Sequence, residues 1–254
     1  MIHPSAIVHP GAQVDPSCEI GPFSVIGEHV VLGANNNIHS HVVIGGHTVL
    51  GKNNEVFPFT TIGVCTQDLK WTGGTTWTRI GDHNTIREHV EIHSATGDGE
   101  STVIGSHNNI LAGSHIAHNC ELQNHTILSS AGLAGHVLVG DYAIVGGKAN
   151  VHQFCRIGTM SIIGGMSKVV QDVPPYMMID GNPAVTRTVN KIGLERRGVS
   201  EEAQKALRQA FKFIFKEKLT ISNALAKIEE ELPQLPEVVR LVEFVRTSER
   251  GVCK

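Results

Sequence analysis

The chain is poor in aromatic residues: Phe, Trp and Tyr make up 5% of its 254 residues, with two tryptophans and two tyrosines. A core built on large rings is therefore excluded, and the interior has to be aliphatic. Charge of one sign is also missing. Lys and Arg number 21 against 24 Asp and Glu, a formal net charge of −3, so no basic field of the kind that holds nucleic acid is present. No apolar run is long enough to span a bilayer, and no signal peptide is read at the start. Five cysteines form no metal-like pairing such as CxxC, which suits small buried thiols in a reducing cytoplasm.

What the chain has instead is a period. An aliphatic residue recurs every sixth position from Val8, Val14 and Ile20 through to Ile62. The frame resumes at Ile80, Ile86 and Ile92, again from Ile104 to Leu128, and finally from Leu133 to Val169. A six-residue repeat fits neither an amphipathic helix nor a lone alternating strand. It predicts a mainly β fold, a left-handed parallel β-helix in which three short strands close one triangular coil and each anchor points to the shared axis. Glycine often follows the anchor (Gly21, Gly33, Gly51, Gly81), where a tight corner is expected to need backbone freedom and little bulk. Residues eighteen apart should then stack, with coils about 4.8 Å apart.

The repeat ends near Val173, where Pro174 and Pro175 cannot continue a ladder, and a loop containing Asp180 to Pro183 follows. From Ser200 the pattern is helical: Ser200 caps, Glu201 and Glu202 suit a first turn, and Ala206, Leu207, Ala210, Phe211, Ile214 and Phe215 form a stripe. Two more helices are expected, over 222–232 and 236–244. The chain thus divides into a β-helix domain, 1–190, and a small α-helical domain, 191–254, that covers the open end of the coil. Two stretches, 64–79 and 94–102, break the repeat while the anchors return in phase. They read as loops thrown out from a rigid rod, and such loops usually carry function.

Fifteen histidines are present. Eight occupy the fourth position of a hexad (His29, His41, His47, His83, His89, His107, His125, His136) and read as solvated corner residues. His93, His115, His118 and His152 lie beside anchors or loops, where neutral imidazoles can act as a general base or as metal ligands. Spacing alone does not choose between those roles.

The ordered motifs QDLKW (67–71), EIH (91–93), SHIAHNC (114–120), LAGHV (133–137), VHQF (151–154), QDVPPY (171–176) and ERRG (195–198) resemble the UDP-N-acetylglucosamine O-acyltransferases of lipid A synthesis over essentially the whole chain. The resemblance implies a homotrimer with active sites between subunits, free of metal and cofactor. It also implies transfer of an (R)-3-hydroxyacyl chain from acyl carrier protein to the glucosamine 3-hydroxyl of UDP-N-acetylglucosamine. By matching motif, His118 would be the general base and the Gly135 N–H an oxyanion donor. Gln67, Asp68, Lys70, His93, His115, His136 and Gln153 would hold sugar, diphosphate, pantetheine or acyl groups. Arg196, Arg197 and Arg208 would meet the acidic carrier protein. Gly165 would leave the far end of the acyl groove open, so that a longer hydroxyacyl group fits.

Two departures from the family pattern stand out. Asn119 follows His118 where members commonly carry aspartate; an amide oxygen can orient an imidazole but cannot offset imidazolium charge, so Asn119→Asp is expected to raise activity or shift its pH optimum. The repeat 128–132 is also one residue short, which moves Gly135 and His136 relative to His118. The alternatives are another nucleotide-sugar acyltransferase of this fold, a non-catalytic paralogue, and a γ-carbonic-anhydrase-type hydratase needing three converging histidines.

Overall fold

A computed structural model describes residues 1–254. Two-residue strands end on successive anchors, as in Ile7–Val8, Gln13–Val14 and Glu19–Ile20. Every third strand lies on the same side, which sorts them into sheets of nine, eight and ten strands. We call these faces one, two and three, carrying Val25–Ile26, Val31–Leu32 and Asn37–Ile38 respectively. The pairing within the coils is parallel and the winding is that of the expected left-handed β-helix. Every anchor is buried except Val8 and Val14, which are half-buried where the first coil meets solvent. Each buried aliphatic side chain contributes about 1.5–3 kcal/mol, so this axis holds the rod together.

Of the two reasons expected for glycine after the anchor, little bulk holds at Gly33 and Gly81 and backbone freedom does not. Gly33 and Gly81 do not have left-handed φ values; a Cβ on Gly33 would sit 2.7 Å from the Gly51 carbonyl oxygen, and one on Gly81 2.8 Å from that of Gly105. Glycine is there because the next coil lies against it. The left-handed residue is the fourth of the hexad, and it is seldom glycine: Phe23 (φ 61°), Asn35 (φ 56°), His41 (φ 58°) and Phe59 (φ 64°) are examples. Rings at this position stack from coil to coil. Phe23, His41, Phe59 and His89 form one column with centroids 5.1–5.2 Å apart, and His83, His107, His125 and Tyr142 another. The corner histidines are therefore packed ring on ring rather than merely solvated.

Between faces two and three the coil is lined by a ladder of buried amides. Asn36 Oδ1 accepts from the backbone N–H of Asn54 at 2.8 Å, Asn54 Oδ1 from Asn84 at 2.8 Å, Asn84 Oδ1 from Asn108 at 2.9 Å, and Asn108 Oδ1 from Thr126 at 2.7 Å.

The eighteen-residue step is not uniform. Leu50 pairs with Ile80 and Ile80 with Ile104, steps of 30 and 24, because two insertions leave the coil. Ile116 pairs with Leu133, a step of 17, because Ser129–Ala131 turn the corner with one residue fewer. The excursions are shorter than the sequence suggested, since Trp77–Ile80 and Ser101–Ile104 are already face-two strand.

Beyond the coil, Met177–Gly181 pairs antiparallel with Ala184–Val189, a hairpin where a loop was expected. The helices are α1 (Lys191–Arg196), α2 (Glu201–Phe215), α3 (Ile221–Glu231) and α4 (Pro236–Arg246). The short α1 escaped sequence reading because it carries a glycine and no extended stripe; Asn190 caps it by accepting from Gly193 N–H at 3.1 Å. Tyr176, Met177 and Val189 join the helices' apolar cluster, and the tail returns to the coil, where the Cys253 N–H donates to Asp172 O at 2.9 Å. No helix is long and apolar enough to cross a membrane.

Candidate active site

Both excursions leave the rod at the same corner, between faces one and two. The first runs from the strand Thr61–Val64 to Trp77–Ile80, the second from Glu91–His93 to Ser101–Ile104. His118, Gly135 and Gln153 occupy that corner in the next coils, following the face-one strands His115–Ile116, Gly132–Leu133 and Asn150–Val151. The two loops are laced together: Thr66 and Thr96 hydroxyls meet at 3.0 Å, and Asp98 Oδ1 accepts from Thr75 N–H at 2.7 Å. The first loop and the face-one corner below it wall a cleft of about 570 Å³ lined by Gln67, Asp68, Leu69, Lys70, His93, His115, Ala117, His118, Ala134, Gly135 and Gln153. Eight of these residues were assigned a role from sequence; Leu69, Ala117 and Ala134 belong to the same motifs but were given none.

His118 Nδ1 lies 2.9 Å from Asn119 Oδ1. Asn119 Oδ1 also accepts from the backbone N–H of Thr96 at 3.1 Å, which fixes the amide orientation because a backbone nitrogen only donates. Nδ1 of His118 therefore carries the proton and Nε2 keeps its lone pair. Nε2 is 3.6 Å from Asp68 Oδ2, close enough for charge pairing but too long for a hydrogen bond. Asp68 and Lys70 form no ion pair: Asp68 Oδ1 takes the Lys70 backbone N–H at 3.0 Å, and no carboxylate pairs with the exposed ammonium.

The short corner has a consequence here. Its 17-residue step sets Gly135 directly against His118, so closely that a Cβ on Gly135 would collide with Cε1 and Nε2 of the imidazole. No protein acceptor takes the Gly135 N–H. His136, next along, sets its ring edge-on to His118 at 5.2 Å and stacks on Phe154 at 4.6 Å. Burial, and then the neighbouring His118, hold His136 below the ordinary histidine pKa.

Deeper in the cleft, the His93 Nδ1–H donates to Cys65 O at 3.0 Å, while its buried Nε2 has no partner. His115 Nδ1 meets Glu91 Oε2 at 3.0 Å. Glu91 was not singled out from sequence; register supplies the signal, since Ile92 pairs with Ile116 and so puts Glu91 beside His115. Glu91, His93 and His115 bring ligand atoms within 4.8 Å of one another, two imidazoles and a carboxylate rather than the three histidines of the hydratase alternative.

Three groups of expected residues lie elsewhere. Gly165 turns the corner between face three, at Ile162–Ile163, and face one, at Lys168–Val169, away from the cleft. Arg196 ends α1, and Arg197 places its guanidinium over the Tyr142 ring at 4.1 Å, so it docks the helix on the rod as well as presenting charge. Arg208 lines a groove on α2 shared with Glu195, Glu201 and Glu202, a mixed rather than purely basic surface. Of the cysteines Cys65 is exposed, contrary to expectation, and the other four are buried.

Residues 172–253 match the second domain of the family described as UDP-N-acetylglucosamine O-acyltransferase. The chain is 46% identical over 255 residues to the acyl-[acyl-carrier-protein]–UDP-N-acetylglucosamine O-acyltransferase of Thermodesulfovibrio yellowstonii, covering 100% of this chain and 99% of that one. The crystal structure of LpxA from Acinetobacter baumannii superposes with a TM-score of 0.96 at 44% identity, covering 100% and 99% of the two chains. That of the UDP-N-acetylglucosamine acyltransferase from Bacteroides fragilis gives 0.97 at 38% identity, covering 100% of both. With full-length identity, a shared coil and a shared cap, the chain belongs to the UDP-N-acetylglucosamine O-acyltransferase family.

Proposed function

We propose that this chain moves an (R)-3-hydroxyacyl group from acyl carrier protein to the 3-hydroxyl of UDP-N-acetylglucosamine, the first step of lipid A synthesis. The observation that carries the reading is His118, held by Asn119 in the tautomer whose Nε2 is a free base at the cleft, with an unused N–H of Gly135 beside it. Nε2 removes the sugar hydroxyl proton as that oxygen attacks the thioester carbonyl, and the carbonyl oxygen, now anionic, takes the Gly135 N–H. Collapse breaks the C–S bond, and the imidazolium returns its proton to the departing sulfur. Asp68 stabilises the imidazolium from 3.6 Å. Lys70, with no carboxylate partner, suits a diphosphate, and the unpartnered His93 Nε2 suits a hydroxyl or amide donor on the ligand. Gln67, His115 and Gln153 complete the binding wall, and His136, expected there, packs against His118 without lining it.

The chain supplies one wall of an open cleft, and Gly165 lies on another corner. For Gly165 to end the acyl groove a second copy must bring it there, which supports a homotrimer with sites between subunits. Arg196, Arg197 and Arg208 then face the acidic carrier protein from the helical region, 191–254, beyond a catalytic coil of 1–190. The absence of paired cysteines suits the cytoplasm.

The test is product formation from hydroxyacyl carrier protein and UDP-N-acetylglucosamine by wild type and His118→Ala. The variant should melt as wild type does, because the imidazole lies outside the apolar axis, and its turnover should fall by about a thousandfold or more. Retained turnover would remove His118 from the chemistry.

A further inference from the structure

The structure gives the second excursion a task that its sequence does not announce. The Asn119 amide, oriented by Thr96, turns its Nδ2 toward Glu100, whose Oε2 accepts from it at 2.6 Å. The same Oε2 takes the Gly97 N–H at 2.9 Å, and the Asn119 N–H donates to Thr102 Oγ1 at 2.9 Å. Thr96, Gly97 and Glu100 belong to the second excursion, and Thr102 to the strand that it leads into. A continuous chain of hydrogen bonds therefore runs from His118 Nδ1–H to the Asn119 carbonyl oxygen, and from the Asn119 NH₂ to the Glu100 carboxylate.

We propose that Glu100 is a positioning residue for acyl transfer, polarising Asn119 so that this amide serves His118 in place of a directly attached carboxylate. The inference rests on the assignment of His118 as base. Its physical content is simple. A carboxylate that pulls on the NH₂ end of an amide makes the oxygen end a stronger acceptor, so the imidazole is held harder and its protonated form is favoured. Glu100 also brings a negative charge within range of the imidazolium, damped because the group is exposed. Consistent with a carboxylate kept ionised, the Asn119 hydrogen bond and then that of Gly97 hold Glu100 below the usual glutamate pKa.

The other charged or titratable groups around His118 are Asp68 and Lys70 on the first excursion, His136 on the next coil, and Glu91, His93 and His115 across the cleft. Asp68 approaches Nε2, the opposite nitrogen, so Glu100 and Asp68 act on different ends of the ring.

Glu100→Gln keeps the shape of the chain and removes only its charge. It should lower kcat about five- to tenfold with little change in KM for the nucleotide sugar, and move the acid limb of the kcat/KM profile to lower pH, because a less stabilised imidazolium gives up its proton more readily. The decisive readout is Asn119→Asp in both backgrounds. In wild type, contrary to the rise in activity expected from sequence, it sets a carboxylate against Glu100, so one of the pair must take up a proton or move away, and kcat should fall. In Glu100→Gln the same change supplies the missing charge, and kcat should recover.

A profile of Glu100→Gln that matches wild type, or Asn119→Asp acting with the same sign in both backgrounds, would overturn the proposal. A kcat loss accompanied by a lowered melting temperature and no rescue would reduce Glu100 to a loop anchor and equally overturn it. His118→Ala run alongside separates the two readings. If that variant is dead while Glu100→Gln is normal, only the role of Glu100 falls; if it turns over, the base assignment falls first.

Discussion

At the scale of single residues, the site depends on contacts that leave no room for substitution. Gly135 has a neighbouring imidazole where its Cβ would be, so Gly135→Ala must displace His118 or the LAGHV corner. We expect kcat to fall by at least about a hundredfold while thermal stability changes by less than about 1 kcal/mol, since the strain is relieved by moving a ring that lies in the cleft, outside the apolar axis. Steady-state kinetics beside calorimetry check this; near-normal kcat would mean the ring yields without cost and Gly135 is not in the oxyanion position. Lys70→Ala should raise KM for UDP-N-acetylglucosamine about tenfold with kcat little changed, and an unaltered KM would return Lys70 to ordinary solvation. Most residues that bear motifs were legible in the sequence because each motif keeps its place relative to an anchor. Glu91 and Glu100 were not, for a physical reason: each acts on a histidine or amide across an insertion, and the eighteen-residue rule fails where loops lengthen the step.

At the scale of elements, the period made the coil legible and concealed what fills its corners. The anchors were read correctly, yet the ladder of Asn36, Asn54, Asn84 and Asn108 was not, since a buried asparagine looks like any turn residue until its neighbours above and below are known. Asn84 shows what the ladder contributes. It donates to Asn54 Oδ1 and to Gly105 O, and accepts from Asn108 N–H, all in a buried corner. Asn84→Ala strands the Asn108 amide proton and the Gly105 carbonyl oxygen in the interior, while Asn54 Oδ1 keeps the backbone N–H of residue 84, and we expect a loss of about 2 kcal/mol in denaturant titration with the slope unchanged. A loss under about 0.5 kcal/mol would show that water replaces the side chain. The hairpin after the coil and α1 were missed because both are short and their burial is decided by the helices packed on them, through Met177, Val189 and Leu194, rather than by any pattern of their own.

At the scale of the whole molecule, the histidine columns tie stability to acidity. Burial first, and then neighbouring histidines, hold His125 and His136 below the ordinary value of 6.5. A depressed pKa in the folded state means that the unfolded chain binds protons more readily, so stability is full above 6.5 and declines as pH falls below it. The melting temperature should drop as pH falls below 6.5, less steeply in His136→Gln; a flat profile would show that the columns tolerate charge. The shortened corner at 129–131 reaches further than the site it adjusts. A residue lost from a strand would send every following side chain to the opposite face, whereas a residue lost at a corner leaves Gly132–Leu133 paired with His115–Ile116 and the anchors beyond still inward. Two additions and one deletion have been absorbed in this way. Heritable length changes are thus filtered by where in the triangle they fall, and corners become the places where a lineage can try new loops against a substrate without renegotiating its fold.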